Sequence, residues 1–197
     1  GYDIYPKMFA VALKLVSPQN QLYHILQVKY HYFSGVTARI KIPLVENPAR
    51  LIDTALLEQT AALKLEENAA YINNELGIIY KLKKDYVTAE KYFLRATQIT
   101  PSWALPWSNL GGLYNHLNNY EKGIEALEKA KQLQPGYQSI YTNTGILNEK
   151  KGNFLLAEEF FKKSIRINTR HYLPFERLGY VYMNTTRYAK ADSNFHE

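Results

Sequence analysis

The chain has 197 residues, of which 46% are hydrophobic and 21% charged, a composition typical of a folded domain rather than a disordered segment. It contains no cysteine, which excludes disulfides and cysteine-based zinc sites and is compatible with either the cytoplasm or an oxidising compartment. The net charge of +6 is concentrated in residues 1–50, whereas residues 51–197 are nearly neutral. This distribution argues against a nucleic-acid surface, and no apolar run is long enough to predict membrane insertion.

The first predicted element is YPKMFAVALKLV, residues 5–16, whose apolar residues fit two kinds of secondary structure. Some of them alternate as in a strand, namely Phe9, Val11, Leu13 and Leu15. The length of the segment and its alanines instead suit a helix, which is the interpretation we favour.

A second helix is predicted within residues 22–41, with Ser17 as its N-cap and Pro18 at the first helical position. The stretch IPLVENPA, residues 42–49, predicts a loop because its two prolines disfavour a continuous helix. A third helix is predicted within residues 51–69, because DTALLEQTAALKLEEN aligns there with VTAEKYFLRATQITPS further along the chain. Residues 1–50 are therefore expected to be a helical segment that precedes the regular part of the chain.

A period of 34 residues governs the remainder of the sequence. Glycine recurs at this interval without insertion or deletion, at Gly77, Gly111, Gly145 and Gly179. An aromatic residue follows nine positions after each glycine, at Tyr86, Tyr120, Phe154 and Tyr188. A small residue follows twelve positions after each, at Ala89, Gly123, Ala157 and Ala191. Such a period predicts stacked supersecondary units, which we place at residues 70–103, 104–137, 138–171 and 172–197. The last of these units is truncated, and we expect further chain beyond it.

The pattern resembles the tetratricopeptide repeat (TPR) family, whose unit is a helix, a turn and an antiparallel helix with small residues at positions 8, 20 and 27. The resemblance implies an all-α fold, a right-handed α-α superhelix that is a TPR solenoid of antiparallel helix pairs. It also implies close helix contacts in which Gly77 faces Ala89 and Gly145 faces Ala157. The sequence departs from the family at a few core positions that hold polar residues, Asn73, Thr144 and Asn148.

An earlier, degenerate unit is expected upstream, with Gly35 at position 8 and with Ala55 and Ala62 at positions 20 and 27. The distance from Gly35 to Gly77 is 42 residues, eight more than the period, and the predicted loop accommodates the excess. The first helix of this unit lies within residues 1–50, and residues 51–69 form its second helix.

In the TPR family, first-helix positions 2, 5, 9, 12 and 13 line a concave groove that binds peptides. The resemblance places five residues of the first regular unit there, Tyr71, Asn74, Ile78, Lys81 and Leu82. The second unit supplies Leu105, Ser108, Gly112, Asn115 and His116. The third supplies Ser139, Thr142, Ile146, Glu149 and Lys150, and the fourth supplies Leu173, Glu176, Tyr180, Met183 and Asn184. Gly112 either leaves a hole where ligand backbone approaches or is simply tolerated on an open face.

The groove positions lack the ligand-binding residues of one TPR subclass and share part of the pattern of another. The carboxylate clamp of chaperone-binding members needs Lys, Asn and Arg at positions 5 and 9, where this chain has Asn74, Ile78, Gly112, Thr142 and Ile146. We therefore expect no binding of chaperone C-terminal tails. Repeats resembling those of protein O-GlcNAc transferases hold peptide backbone with asparagine at position 6. Asn109 and Asn143 match that pattern, whereas Glu75 and Arg177 do not.

No catalytic or cofactor motif accompanies the repeats. The five histidines lack metal-ligand spacing, and there is no phosphate loop or nucleophile elbow, so we expect neither a bound metal or cofactor nor enzymatic activity. The predicted function is a protein-interaction scaffold that binds a peptide or a partner helix. The alternative is a regulatory or substrate-recruiting arm of a larger enzyme or receptor. Self-association near Tyr172 and Tyr180 is also open.

Overall fold

The computed structural model of the chain describes residues 3–185, which are helical in alternation with short turns. These residues form ten α-helices and a short 3₁₀ helix at Ile42–Leu44, and they include no strand, so the predicted all-α class is confirmed. The α-helices are α1 (Ile4–Leu15), α2 (Gln21–Lys41), α3 (Ala49–Leu65), α4 (Ala70–Leu82), α5 (Tyr86–Ile99), α6 (Ala104–His116), α7 (Tyr120–Leu133), α8 (Gln138–Lys150), α9 (Phe154–Ile167) and α10 (Leu173–Asn184). The predicted second helix of the last unit lies outside the described residues.

The chain separates into two compact units, Gly1–Pro101 and Ser102–Glu197. In the first unit each helix packs against the next in sequence, from α1 to α5. In the second unit α6 packs on α7, α8 on α9 and α9 on α10, and the first helices α6 and α8 also contact each other. Helices that follow each other through a short turn and pack together form the antiparallel pairs expected of stacked repeats.

The N-terminal segment is helical, as we favoured over a strand, but the start of α2 was predicted wrongly. Ser17 does not cap this helix; the N-cap is Asn20, whose side chain accepts a hydrogen bond of 2.9 Å from the backbone N–H of Leu22. Ser17 and Pro18 lie in the turn before it, where the Ser17 carbonyl accepts from the Asn20 N–H at 2.9 Å. Asn20 and Ser17 are both good caps, and this turn places Asn20 at the helix start.

The repeat glycines lie against large side chains of the following helix. A Cβ added to Gly77 would lie 2.6 Å from the ring of Phe93, and one added to Gly145 would lie 2.5 Å from the ring of Phe161. Phe93 and Phe161 lie one turn beyond the alanines that we predict to face these glycines, Ala89 and Ala157. In the α6–α7 pair an added Cβ on Gly111 would meet Leu127 and, at 3.1 Å, the carbonyl oxygen of Gly123, which occupies the predicted facing position. Gly77 and Gly145 therefore make room for a buried ring within their own helix pairs.

The degenerate unit repeats this arrangement with a polar residue. A Cβ added to Gly35 in α2 would lie 2.7 Å from Nε2 of Gln59 in α3, and Gln59 is fully buried. Its Nε2 donates to the carbonyl of Tyr32 at 2.9 Å, while its Oε1 has no hydrogen-bond partner. Gln59 thus occupies the place of Phe93 and Phe161 and leaves one buried oxygen unsatisfied.

Polar residues at the departures from the family pattern are bonded within their own helices. Asn73 Nδ2 donates to the Ala69 carbonyl at 2.9 Å, and Thr144 Oγ1 donates to the Ile140 carbonyl at 2.8 Å. Asn148 Nδ2 donates to the carbonyl of Thr144, also at 2.8 Å. Each side-chain donor is satisfied by the carbonyl four residues earlier in the same helix. These polar residues therefore replace larger apolar residues without leaving a buried donor unpaired.

Candidate peptide-binding groove

The predicted groove residues lie on α4 in the first unit and on α6, α8 and α10 in the second. Most are half-buried: Tyr71, Ile78, Lys81, Leu105, Asn109, Gly112, Asn115, Asn143, Ile146 and Leu173. Those of the last helix are more exposed: Glu176, Tyr180 and Met183. Some are almost fully buried, Asn74, Ser108, Thr142 and Glu149, and therefore offer little side-chain surface. We call this set the first-helix face and describe it separately in each unit.

In the first unit, α2 adds aromatic and basic groups to the first-helix face. The edge of the Tyr32 ring packs on Tyr71, with 4.8 Å between ring centroids, and the Lys29 ammonium lies 5.1 Å from the centroid of the Tyr71 ring. The Tyr71 hydroxyl donates to Glu66 at 2.6 Å. Burial, then this bond, raises the pKa of Tyr71, and burial raises the pKa of Tyr32 to about 12. Both phenols are therefore neutral donors at physiological pH.

A cavity adjoins this aromatic group at the start of α2. Its volume is about 300 Å³, and it is lined by His24, Ile25, Val28, Lys29 and Glu66. Aliphatic side chains with a cation and a carboxylate at the rim suit an amphipathic side chain of a bound peptide.

Charged residues form the other end of the first-helix face in this unit. Arg39 Nε donates to Glu75 Oε2 at 2.5 Å, and Arg39 Nη2 donates to Glu75 Oε1 at 3.3 Å. Burial raises the pKa of the Glu75 carboxyl, and Arg39 opposes that effect. Burial, followed by the charge of Arg39, lowers the pKa of Lys81. The three groups form a half-buried cluster with two cations and one carboxylate.

In the second unit, short polar side chains join the first helices α6 and α8. The hydroxyls of Ser108 and Ser139 are 3.0 Å apart, and Asn143 Nδ2 donates to the Ser108 carbonyl at 3.3 Å. A Cβ added to Gly112 would lie 3.1 Å from Asn143 Nδ2. Gly112 therefore accommodates the Asn143 amide. The space next to Gly112 towards α8 is occupied by a side chain of the protein, and both interpretations of Gly112 in ligand binding stay predictions.

Among the described residues of the second unit, 102–185, three side-chain polar atoms are buried without a hydrogen-bond partner. They are Asn115 Oδ1, Glu149 Oε2 and Arg177 Nε. Arg177 Nη1 donates to Glu149 Oε1 at 3.3 Å, which leaves the second oxygen of this 5% exposed glutamate unpaired. Burial raises the pKa of Glu149, against the opposing charges of Arg177 and Lys150. Buried polar atoms normally have a partner, and these three lie too deep for an external ligand to reach unless the surrounding side chains move.

The family assignment follows from the repeats themselves. A sequence model described as tetratricopeptide repeat matches residues 70–102, 106–137 and 138–171, which is about half of the chain. The chain belongs to the tetratricopeptide repeat family. The three matched segments lie in the regular part of the sequence, after the degenerate unit.

Relatives and solved structures of TPR proteins agree with this assignment. The chain is similar to anaphase-promoting complex subunit 3 of Schizosaccharomyces pombe, 24% identical over 66% of this chain and 25% of the subunit. It is similar to human protein O-mannosyl-transferase TMTC3, 35% identical over 38% of this chain and 8% of that protein. A solved tetratricopeptide repeat protein from Parabacteroides merdae has a TM-score of 0.70 at 18% identity, over 97% of this chain and 70% of that one. The matches thus span only a quarter or less of these two curated relatives, and the structural likeness confirms the TPR solenoid fold class.

The groove residues that sequence reasoning missed are those of α2. Counting the TPR register from Gly35 as position 8 assigns Lys29, Tyr32 and Arg39 to positions 2, 5 and 12. The signal was therefore present in the sequence, but the groove prediction began only with the first regular unit. Within residues 3–185, no cluster of three or more His, Asp or Glu side chains is arranged to hold a metal ion, and no helix is long and apolar enough to span a membrane.

Proposed function

We propose that this TPR chain is a non-catalytic protein-interaction scaffold and that the first-helix face of its second unit binds an extended peptide. The observation that carries the proposal is the set of solvent-accessible side chains on α8 and α10, Ile146, Leu173, Tyr180 and Met183. The backbone N–H groups of an extended peptide have no partners within the peptide, so they can donate to accessible acceptors of this face. A partner helix, whose backbone groups are bonded internally, offers no such donors along most of its length.

Apolar contacts on the same face support a peptide ligand. Ile146 and Leu173 are half-buried, while Tyr180 and Met183 are 49% and 73% exposed. Alternate side chains of an extended peptide point to opposite sides, so one set packs on these residues. Asn143 is anchored by its Nδ2 to the Ser108 carbonyl, which leaves its Oδ1 as a further acceptor.

The experiment is a selection of random peptides on the intact chain, followed by titration calorimetry with the selected peptides. A groove variant, Ile146→Glu with Tyr180→Glu, is compared with the wild type. A matched control variant places the same charges on exposed leucines of second helices, Leu57→Glu with Leu155→Glu, at positions 70% and 67% exposed. We expect the groove variant to lose about tenfold or more in affinity and the control to retain wild-type affinity.

Two results would contradict the proposal. One is that no peptide is selected, and the other is that both variants lose affinity equally. A chaperone C-terminal tail serves as the negative ligand, because the clamp positions hold Ile78, Gly112 and Ile146 instead of the required cations and amides. Submicromolar binding of such a tail would contradict that part of the proposal.

A second candidate function is an arm that recruits substrate to a catalytic domain of the same protein. The similarity to the O-mannosyl-transferase favours it, because the repeats match only 8% of that enzyme. The sequence of the full-length gene tests it: an adjoining catalytic domain supports the arm, and a protein made of repeats alone contradicts it.

A further inference from the structure

Helix α1 uses one face to pack against the rest of the first unit. The rings of Tyr5 and Phe9 stack on Phe33 of α2, with centroids 5.1 Å and 5.6 Å apart. Lys41 Nζ donates to Asp3 Oδ1 at 2.7 Å and joins the end of α2 to the residue before α1. The position and rotation of α1 are therefore determined by contacts on its aromatic side.

A different face of α1 carries four large apolar side chains that are mostly exposed. They are Ile4, Met8, Val11 and Leu15, with exposed fractions of 56%, 61%, 59% and 81%. Their spacings are four, three and four residues, so at about 100° per residue they form one stripe about 60° wide. An aligned stripe of this size is unusual on the surface of a folded unit and indicates an interaction site.

The spacing of the stripe is that of a coiled-coil seam. If Met8 and Leu15 are a positions, Ile4 and Val11 are d positions of the same heptads. The residues that precede the two a positions are Lys7 and Lys14, and both are exposed. They occupy g positions, where charged residues determine which helix pairs with a seam. α1 contains no acidic residue, so its seam has a basic edge only.

We propose that the exposed seam of α1 docks an amphipathic helix of a partner protein, with apolar residues at its own a and d positions and acidic residues facing Lys7 and Lys14. The two lysines are two turns apart, about 10.5 Å along the helix, so acids seven residues apart on the partner match both. This interface is separate from the first-helix face and does not depend on the peptide proposal.

Two other occupants fit the seam less well. A second copy of the chain that pairs antiparallel through α1 brings the g positions together, which sets lysine against lysine. A helix that lies in a membrane surface presents a wide apolar face, whereas this stripe is narrow and its neighbouring aromatic side is already packed on α2. A complementary helix satisfies both the shape and the charge of the seam.

The test is titration of the 197-residue chain with two fluorescent synthetic helices of about three heptads, with Ile at a and Leu at d. One peptide has Glu at e and g, and the other has Lys there. At low ionic strength we expect the Glu peptide to bind about tenfold tighter, and the difference to shrink with added salt. A Lys7→Glu, Lys14→Glu variant should reverse the preference.

Variants of the seam itself complete the design. Met8→Glu should abolish binding of both peptides, whereas Leu57→Glu, on an exposed leucine of α3, should leave it unchanged. Equal affinity for the two peptides, or no binding of either, would overturn the proposal. An equal loss of peptide affinity in Met8→Glu and Leu57→Glu would overturn it as well. A membrane or a second copy of the chain would be the occupant instead if the Glu peptide failed to bind and Met8→Glu abolished one of two other activities. These are binding to vesicles that contain phosphatidylserine and dimerisation in sedimentation. Either result would also overturn the proposal. If Met8→Glu disrupts α1, the charge-reversal variant still decides, because it keeps every apolar contact.

Discussion

Replacing Gly77 by alanine should destabilise the chain although alanine is the better helix former. In the interior of a helix the substitution by itself gains about 1 kcal/mol. The added Cβ would lie 2.6 Å from two atoms of the Phe93 ring, about 1 Å closer than the ordinary contact of two carbon atoms. Phe93 is fully buried, so its ring has no free space to move into.

The magnitude follows from the competition of these two effects. Overpacking of a buried site costs about 1–3 kcal/mol, and a ring held between two helices belongs at the upper end of that range. After the gain in helix propensity, we expect the free energy of unfolding to fall by about 2 kcal/mol. The measurement is urea denaturation of the wild type and of Gly77→Ala, monitored by circular dichroism.

Two further variants separate packing from propensity. Gly179→Ala is the matched control, because Gly179 lies inside α10 and an added Cβ there meets no atom within 4 Å, so we expect it to be stabilising by up to about 1 kcal/mol. In the double variant Gly77→Ala, Phe93→Leu, the smaller side chain relieves the contact, so its cost should be below the sum of the single variants by about 1 kcal/mol. A neutral or stabilising effect of Gly77→Ala would refute the packing argument.

Two other predictions concern buried polar groups of the first unit. Gln59→Met should raise the free energy of unfolding by about 1 kcal/mol, because removing the unpaired Oε1 outweighs the loss of the hydrogen bond to Tyr32. Urea denaturation measures this change, and a loss of stability would contradict the prediction. Burial raises the pKa of Glu75 above its unfolded value, so its contribution to stability is fully present below the unfolded pKa and is lost as pH rises through the folded pKa. Glu75→Gln, which keeps an acceptor for Arg39, should therefore weaken the fall of stability as pH rises above the ordinary pKa of glutamate, and the exposed Glu67→Gln should keep the wild-type slope. Identical slopes in all three proteins would exclude this role of Glu75.

The helix pairs could be predicted from the sequence because a strict period places many core positions in register at once. The N-cap of α2 could not be predicted in this way, because Ser17 and Asn20 lie three residues apart and both are favourable N-cap residues. The choice between them depends on the path of the turn between α1 and α2, which local propensity does not specify. The side chain nearest to each repeat glycine could not be predicted for a similar reason. Residues one helical turn apart lie on the same face, and the crossing of the two axes decides that Phe93 rather than Ala89 is nearest to Gly77.

The candidate groove was only partly predictable. The 34-residue period was sufficient to assign Ile146 and Tyr180 to the same position of successive first helices, because both are position 9 of their units. Spacing does not show which polar atoms are already bonded, and so it could not distinguish Asn143, held by the Ser108 carbonyl, from the unpaired Oδ1 of Asn115. Hydrogen bonds between repeats depend on distances of a few tenths of an ångström, which a sequence period does not specify.

The same ion-pair arrangement occurs in both units with its charges exchanged. Arg39 pairs with Glu75 in the first unit, and Glu149 pairs with Arg177 in the second, in each case from position 12 of one first helix to position 6 of the next. The partners are separated by 36 and 28 residues, and the difference of eight equals the excess between Gly35 and Gly77. The insertion therefore lengthens the connection without changing how the first helices meet. Because a partly buried pair contributes little net stability while a buried carboxylate without a partner is costly, we expect these pairs to act mainly against alternative registers of neighbouring repeats.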